Sequence, residues 1–201
     1  MNKITLMLPL MLVALASGAS GQYIVGSDHD FSGQGWSGGQ ICVPCHTPHN
    51  AYPYAQHSVT AVLWNHEETS QTFTMYVTEA GNTGSVDGTS KLCLSCHDGV
   101  TAVDNYGGLQ NNTTYVTGSA VVGIDLTDDH PIGVQYPPED QGGSPLPGYN
   151  DPPLGNIRLP TVATVPRVEC TSCHSPHGTQ YTFMLRDNIA SSQICLNCHA
   201  L

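Results

Sequence analysis

The sequence has few charged residues, which make up 10% of its 201 positions against about 25% in typical soluble domains. Basic residues are the scarcest, with 5 Lys and Arg against 16 Asp and Glu and a formal net charge of −11. Because so little is present to neutralise phosphates, we do not expect nucleic-acid binding. Aromatic residues are also few, whereas 21 Gly and 14 Pro predict many turns, few long helices and a small apolar core.

Long hydrophobic runs are missing except at the start of the chain. A single Lys precedes an apolar stretch at 4–16, and small residues follow it. This pattern predicts a secretory signal peptide over 1–21 and one mature domain over 22–201. The stretch is shorter than the roughly 20 residues that span a bilayer, so we expect no membrane span in the mature chain. The predicted location is extracellular or at the cell surface, with the periplasm as the alternative.

All eight cysteines lie in Cys-x-x-Cys pairs, and His follows each pair directly. The four motifs, first to fourth, are Cys42–His46, Cys93–His97, Cys170–His174 and Cys195–His199. Neither a disulfide framework nor a zinc site needs His after every pair, whereas C-x-x-C-H is the attachment signature of c-type haem. Two thiols on one helical turn can form thioethers to the two vinyl groups of a porphyrin. We therefore predict four haem c groups, held by Cys42, Cys45, Cys93, Cys96, Cys170, Cys173, Cys195 and Cys198.

The His of each motif lies under its own porphyrin and is the predicted proximal iron ligand, which gives His46, His97, His174 and His199. Six histidines remain for the opposite side of the iron, where c-type haems take His or Met. The distal candidates are His49, His177, His66, His130 and His29, and we expect His57 to face solvent. His49 and His177 each follow a proximal His by three positions, so each is expected to reach a neighbouring haem. Iron ligated by two histidines has no open position, so we predict no enzymatic activity.

Regular secondary structure is expected to be sparse. The predicted fold is mostly irregular, small α with minor β, a multihaem cytochrome c fold built around four covalently attached stacked haems. Apolar spacing predicts a short helix at 59–66, and further short helices are expected at 91–97 and 188–199. Alternation and composition favour extended segments at 72–78 and 113–126. A long Pro- and Gly-rich loop is expected at 137–160.

Several segments in this order resemble a known family. They are HDFS, GGQICVPCHTPHN, LWNH, KLCLSCHDG, DHPIG and ICLNCHAL. Together they are similar to the extracellular tetrahaem cytochromes of metal-reducing bacteria, which polymerise into nanowire filaments. The resemblance implies bis-His haems in alternating parallel and T-shaped pairs, and one distal His donated by the next subunit. His49 is the first candidate for that donation, reaching the last haem of a neighbour, and His29 is the second.

The predicted function is electron conduction along stacked haems to external acceptors, as one subunit of a head-to-tail polymer. Its partners would be copies of itself and redox partner proteins. A soluble periplasmic carrier is the alternative, and a multihaem reductase with one open haem is a further one. Filaments on micrographs distinguish the conductor from the carrier, and carbon monoxide binding reveals an open haem.

Overall fold

The computed structural model describes residues 24–47, 49, 63–140 and 142–200. The predicted signal peptide, His57 and the first half of the predicted helix at 59–66 lie outside these ranges. No helix in the described part of the chain is long and apolar enough to cross a membrane.

Short elements and long irregular connections make up the described chain. Three α-helices are α1 (Gly88–His97), α2 (Cys170–Cys173) and α3 (Gln193–Leu196). Single 3₁₀ turns occur at Phe31–Gly33, Gly35–Ser37, Gly118–Ala120, Thr182–Met184 and Ala190–Ser192. The strands are β1 (Thr74–Met75), β2 (Asp125–Leu126), β3 (Val134–Gln135), β4 (Thr161–Val162) and β5 (Val165–Val168). The prediction of a mostly irregular chain, small α with minor β, is confirmed.

Individual elements follow the sequence pattern unevenly. The predicted helix at 91–97 lies inside α1, but the one at 188–199 is reduced to α3 and the 3₁₀ turn before it. The prediction of a helix at 59–66 is wrong for 63–66, the part of it that the structure describes. Leu63 there has a positive φ of 51°, and Trp64 and His66 form isolated β-bridges to His46 and Tyr106. Burial here does not follow the helical spacing, because Leu63 is 53% exposed whereas Trp64, Asn65 and His66 are all buried.

The strands form two small sheets that connect distant parts of the sequence. β1 pairs in parallel with β2, and β3, β5 and β4 form an antiparallel sheet in that order. The turn between β4 and β5 contains Ala163 and Thr164, which both have positive φ. β5 leads directly to Glu169 and α2, so this sheet positions the third motif.

The described core contains more polar than apolar side chains. Nine hydrophobic residues are buried, among them Trp64, Leu94 and Leu126, beside twelve polar or charged ones. The carboxylate of Asp98, just after α1, accepts hydrogen bonds from Thr69 Oγ1 and Thr101 Oγ1, each at 2.7 Å. Burial raises the pKa of this carboxyl, but the two hydroxyl donors and two backbone N–H donors together lower the pKa by more. The net shift is therefore downward. Polar networks rather than a large apolar core order the polypeptide around α1.

Two backbone segments cross closely just before α1. Gly84 and Gly133 lie where a side chain would collide with the opposing backbone, at Ile132 O and Ser85 O respectively. Gly133 also has φ +68°, in the region that favours glycine. This crossing therefore needs glycine for both space and conformation, and it sets the position of the α1 N-terminus.

We expect Gly133→Ala to destabilise the protein by about 2–4 kcal/mol, from the left-handed backbone and the overlap with Ser85. Chemical unfolding followed by circular dichroism measures the loss. Gly35→Ala is the matched control, because Gly35 has open space around its Cβ position and no positive φ. Equal denaturation midpoints for Gly133→Ala and Gly35→Ala would contradict the close approach of the two backbone segments.

Candidate haem-binding sites

Each Cys-x-x-Cys-His motif is closed by a helical turn. The second motif lies in α1, and α2 and α3 carry cysteines of the third and fourth. In the other three motifs the backbone N–H of the His donates to the carbonyl of the first Cys: His46 to Cys42 at 2.7 Å, His174 to Cys170 at 3.0 Å and His199 to Cys195 at 2.9 Å. Such an i to i+4 bond places both thiols and the imidazole around one turn. This is the arrangement that attachment to a single porphyrin requires.

Burial raises the pKa of several of the thiols. All eight cysteines are described, none is in a disulfide, and Cys42 and Cys195 are exposed. Burial raises the pKa of Cys45 and of Cys173 to about 11 in each case, which disfavours thiolate ligation of zinc. Within the described ranges, no group of three or more His, Cys, Asp or Glu side chains is placed to hold a metal ion.

The motifs lie next to one another in sequence order. Cys45 of the first motif is close enough to Cys96 of the second to raise its pKa, after the larger effect of burial. Cys93 of the second motif is hydrogen-bonded to Cys170 of the third. Cys173 of the third lies near Cys198 and Cys195 of the fourth. The attachment points therefore form one continuous row from the first motif to the fourth.

Three proximal histidines each face a second imidazole from elsewhere in the chain. His97 faces His29 with ring centroids 6.1 Å apart, His46 faces His177 at 6.1 Å, and His199 faces His130 at 6.4 Å. A ligating imidazole nitrogen lies about 2 Å from its metal and about 1 Å from its ring centre, so two imidazoles on opposite sides of one iron lie about 6 Å apart. The spacing of these pairs fits a haem iron between the rings.

Backbone carbonyls orient four imidazoles, three of them from these pairs and the fourth that of His174. Nδ1 lies within hydrogen-bonding distance of Ala120 O for His97 (2.7 Å), of Phe183 O for His174 (2.9 Å), of Pro176 O for His29 (3.0 Å) and of Pro131 O for His130 (3.1 Å). A ring that donates through Nδ1 keeps Nε2 as its lone-pair nitrogen, which is the usual outer-shell arrangement for a ligating His. Burial also lowers the pKa of His29 and His177, which favours the neutral form that binds metals.

His66 is placed differently from the other distal candidates. Its side chain is buried, with Nδ1 2.7 Å from Glu67 O and Nε2 3.1 Å from Ala102 O. Both nitrogens therefore contact the backbone, and Cys96 Sγ lies 3.5 Å from Nε2. This geometry suits a residue that positions the second motif.

His49 and His174 complete the set of candidates. His49 is exposed, and its backbone contacts Thr47. His174 is also exposed, and among the described residues it is in none of the three facing pairs. His174 is therefore the one proximal candidate for which the described chain supplies no facing imidazole.

Exposed apolar side chains lie beside three of the proximal histidines. Phe183, whose carbonyl accepts from His174, is 80% exposed. Val122, whose N–H donates to His97 O, is 44% exposed, and Leu196 within the fourth motif is 37% exposed. A porphyrin face at each of these sites would cover such apolar groups.

The orienting carbonyls were missed by the sequence reasoning. Ala120, Pro176 and Phe183 carry no chemical signature, because only their backbone oxygen is used. Phe183 has φ +55°, and this turn directs its carbonyl to His174. No composition or spacing rule identifies such residues, although Pro176 stands inside the third motif's His-x-Pro-His extension.

Residues 163–200, which hold the third and fourth motifs, match the protein family described as "Doubled CXXCH motif". The chain binds haem c. The matched segment carries the attachment cysteines and proximal histidines of a c-type cytochrome, so electron transfer is its general activity. No curated protein matches the sequence.

We expect the intact mass of the purified protein to exceed that of its polypeptide by four haems, because all four motifs form the same helical turn. The double variant Cys170→Ala, Cys173→Ala should carry one haem fewer, since neither thioether of the third site can form. Ser172→Ala, between the two cysteines, is the matched control and should retain the full number. Mass spectrometry under denaturing conditions counts the covalently bound haems. A wild-type chain with fewer than four haems would contradict the prediction.

Proposed function

We propose that this protein is a bis-His tetrahaem cytochrome that conducts electrons along stacked haems, as the subunit of an extracellular filament. It would deliver electrons over long distances to external acceptors. Secretion, suggested by the apolar N-terminal segment, is part of this proposal, as is the absence of enzymatic activity.

The continuous row of attachment cysteines carries the proposal. Cys45 lies near Cys96, Cys93 contacts Cys170, and Cys173 lies near Cys198. Cofactors attached at such neighbouring points would have their edges close together through the whole subunit. An enzyme needs one haem whose iron has an open coordination position for substrate. A continuous row of haems would instead carry electrons from one end of the subunit to the other.

The facing imidazoles support bis-His ligation. The pairs His97 with His29, His46 with His177, and His199 with His130 would each hold one iron from both sides. When bound, haem supplies an iron that gains and loses one electron without binding a substrate. The paired side chains would exclude water and small ligands from the metal and would keep its coordination unchanged during each transfer.

His174 would then take its second imidazole from His49, in the same chain or in a neighbouring copy. The family resemblance implied that His49 reaches the last haem of a neighbour, at His199. Since His130 already faces His199 at 6.4 Å, we infer that a donation between subunits occurs at His174 instead. Both His49 and His174 are exposed, as a ligand exchanged between copies must be.

Filament assembly is supported by the surface composition. Only 10% of residues are charged, and apolar side chains such as Val25, Leu154 and Ile189 are more than half exposed. When one copy supplies a histidine ligand to the next, the two copies use different surfaces. Repetition of such a contact gives an open helical filament if it does not close into a ring.

A soluble periplasmic carrier is the second candidate. It is favoured by the three imidazole pairs that form within one chain, because most of the irons would then be complete without a partner. A carrier and a filament subunit share the haem arrangement and differ in assembly.

The three pairs predict where an iron can be opened. In assembled protein, His29→Ala, His177→Ala and His130→Ala should each allow reduced protein to bind one carbon monoxide per chain, because each removes one facing imidazole. Unmodified protein should bind none, and His66→Ala should bind none because both of its nitrogens contact the backbone. Difference spectra of the Soret band count the bound ligand. Marked binding by the unmodified assembled protein would favour the reductase.

Negative-stain microscopy of the secreted protein should show thin filaments. His49→Ala should leave single subunits, because the iron at His174 then lacks its second ligand from a neighbour. Such dissociated subunits should bind one carbon monoxide per chain. His57→Ala is the matched control and should polymerise normally. Uniform monomers of the wild type at high concentration would favour the carrier, and normal filaments of His49→Ala would reject the donation.

A further inference from the structure

Glu169 is a buried acidic residue between the helices of the second and third motifs. Its side chain is only 1% exposed. The Oε2 oxygen accepts a hydrogen bond from Ser90 N at 3.1 Å and a short one from Ser90 Oγ. Ser90 is in the first turn of α1, and Glu169 directly precedes α2. The carboxylate therefore lies at the N-terminal end of α1, where a negative charge is favoured.

The same contacts connect the two attachment sites. Ser90 is one turn before Cys93, and its Oγ accepts from Cys170 N at 3.0 Å. Thr89 Oγ1 and Thr171 Oγ1 lie 2.5 Å apart. Cys93 and Cys170 are themselves hydrogen-bonded. Glu169 thus lies at the junction of the second and third sites, beside one attachment cysteine of each.

The second oxygen of this carboxylate is left without a partner. Oε1 of Glu169 is buried and accepts no hydrogen bond, and it lies close enough to Gly88 that a Cβ there would be 2.9 Å away. Burial of a partly satisfied carboxylate is costly, and an apolar residue of similar size would give comparable or better packing stability. Packing alone therefore does not account for an acid at this position.

The surrounding groups act on this charge in opposite directions. Burial raises the pKa of Glu169, the two bonds from Ser90 lower it, Asp87 raises it and Arg167 lowers it, and the net shift is upward. Arg167 forms its ion pair with Asp87, at 3.0 Å, and not with Glu169. The charge of ionised Glu169 is therefore not neutralised by a direct ion pair. It contributes a negative potential at the two neighbouring attachment sites.

We propose that Glu169 is a positioning residue that fixes the junction between the second and third haems, and that its carboxylate lowers the reduction potentials of this pair. The proposal rests on the proposed function, since it needs haems at both sites. A nearby negative charge stabilises the oxidised iron, which carries one more positive charge, over the reduced iron. Low dielectric strengthens this effect, and net charge near the cofactor is one of the means by which a protein sets its potential.

Glu169→Gln tests the charge with little change in shape, because its amide oxygen can still accept from Ser90. Two of the four midpoint potentials, measured by spectroelectrochemistry in mildly alkaline buffer, should shift upward. Glu79→Gln is the matched control: it removes the same charge from an exposed position and should produce a smaller shift. Potentials that move no more in Glu169→Gln than in Glu79→Gln would overturn the proposal.

The haem count separates failure of this inference from failure of the proposed function. Wild-type protein with fewer than four haems would contradict the proposed function, whereas four haems without the shift would contradict the role of Glu169 alone. If Glu169→Gln does not fold with all haems, Ser90→Ala takes its place. Loss of the Ser90 hydroxyl donor should favour the protonated form of Glu169. The same two potentials should then rise, by less than they would in Glu169→Gln. Failure of both variants to assemble, with Glu79→Gln intact, would leave Glu169 a purely structural residue and would also overturn the proposal.

Discussion

The helical turn that closes each Cys-x-x-Cys-His motif is the local structure on which the molecule depends. One i to i+4 hydrogen bond, such as that from His174 to the Cys170 carbonyl, brings two thiols and an imidazole around a single turn. The turn itself is short and buries little apolar surface. The described core contains only nine buried hydrophobic side chains, so bound porphyrins would supply much of the apolar interior. Cofactor and polypeptide are therefore interdependent parts of one interior.

Local pattern was sufficient to predict the attachment chemistry. The spacing of Cys and His in the sequence determines the geometry of one turn, so the predicted role of Cys195 and Cys198 needed no tertiary information. The helix at 91–97 followed for the same reason. In contrast, the pairing of His46 with His177 joins residues 131 positions apart, and no local rule specifies such a contact. Which imidazole faces which could only be found from the fold.

The case of His66 shows why spacing misleads in a chain of this kind. Val59, Val62, Leu63 and His66 recur as they would on a helix, yet Trp64 and His66 lie in an extended segment with bridges to His46 and Tyr106. Leu63 is 53% exposed, whereas the three residues that follow it are buried. Spacing over so short a stretch therefore determines neither which side chains are buried nor the conformation of the backbone.

The contact of the N-terminal part with residues 176–177 has a consequence for biogenesis. His177 faces His46, and the carbonyl of Pro176 orients His29, which faces His97. The first site is therefore completed by a segment near the end of the chain, and the second site depends on the same segment for the orientation of His29. A polypeptide that emerges amino-terminus first exposes its early thiols long before these partners arrive. A porphyrin joined early to the thiols of the first motif would remain open on one face until His177 had been synthesised.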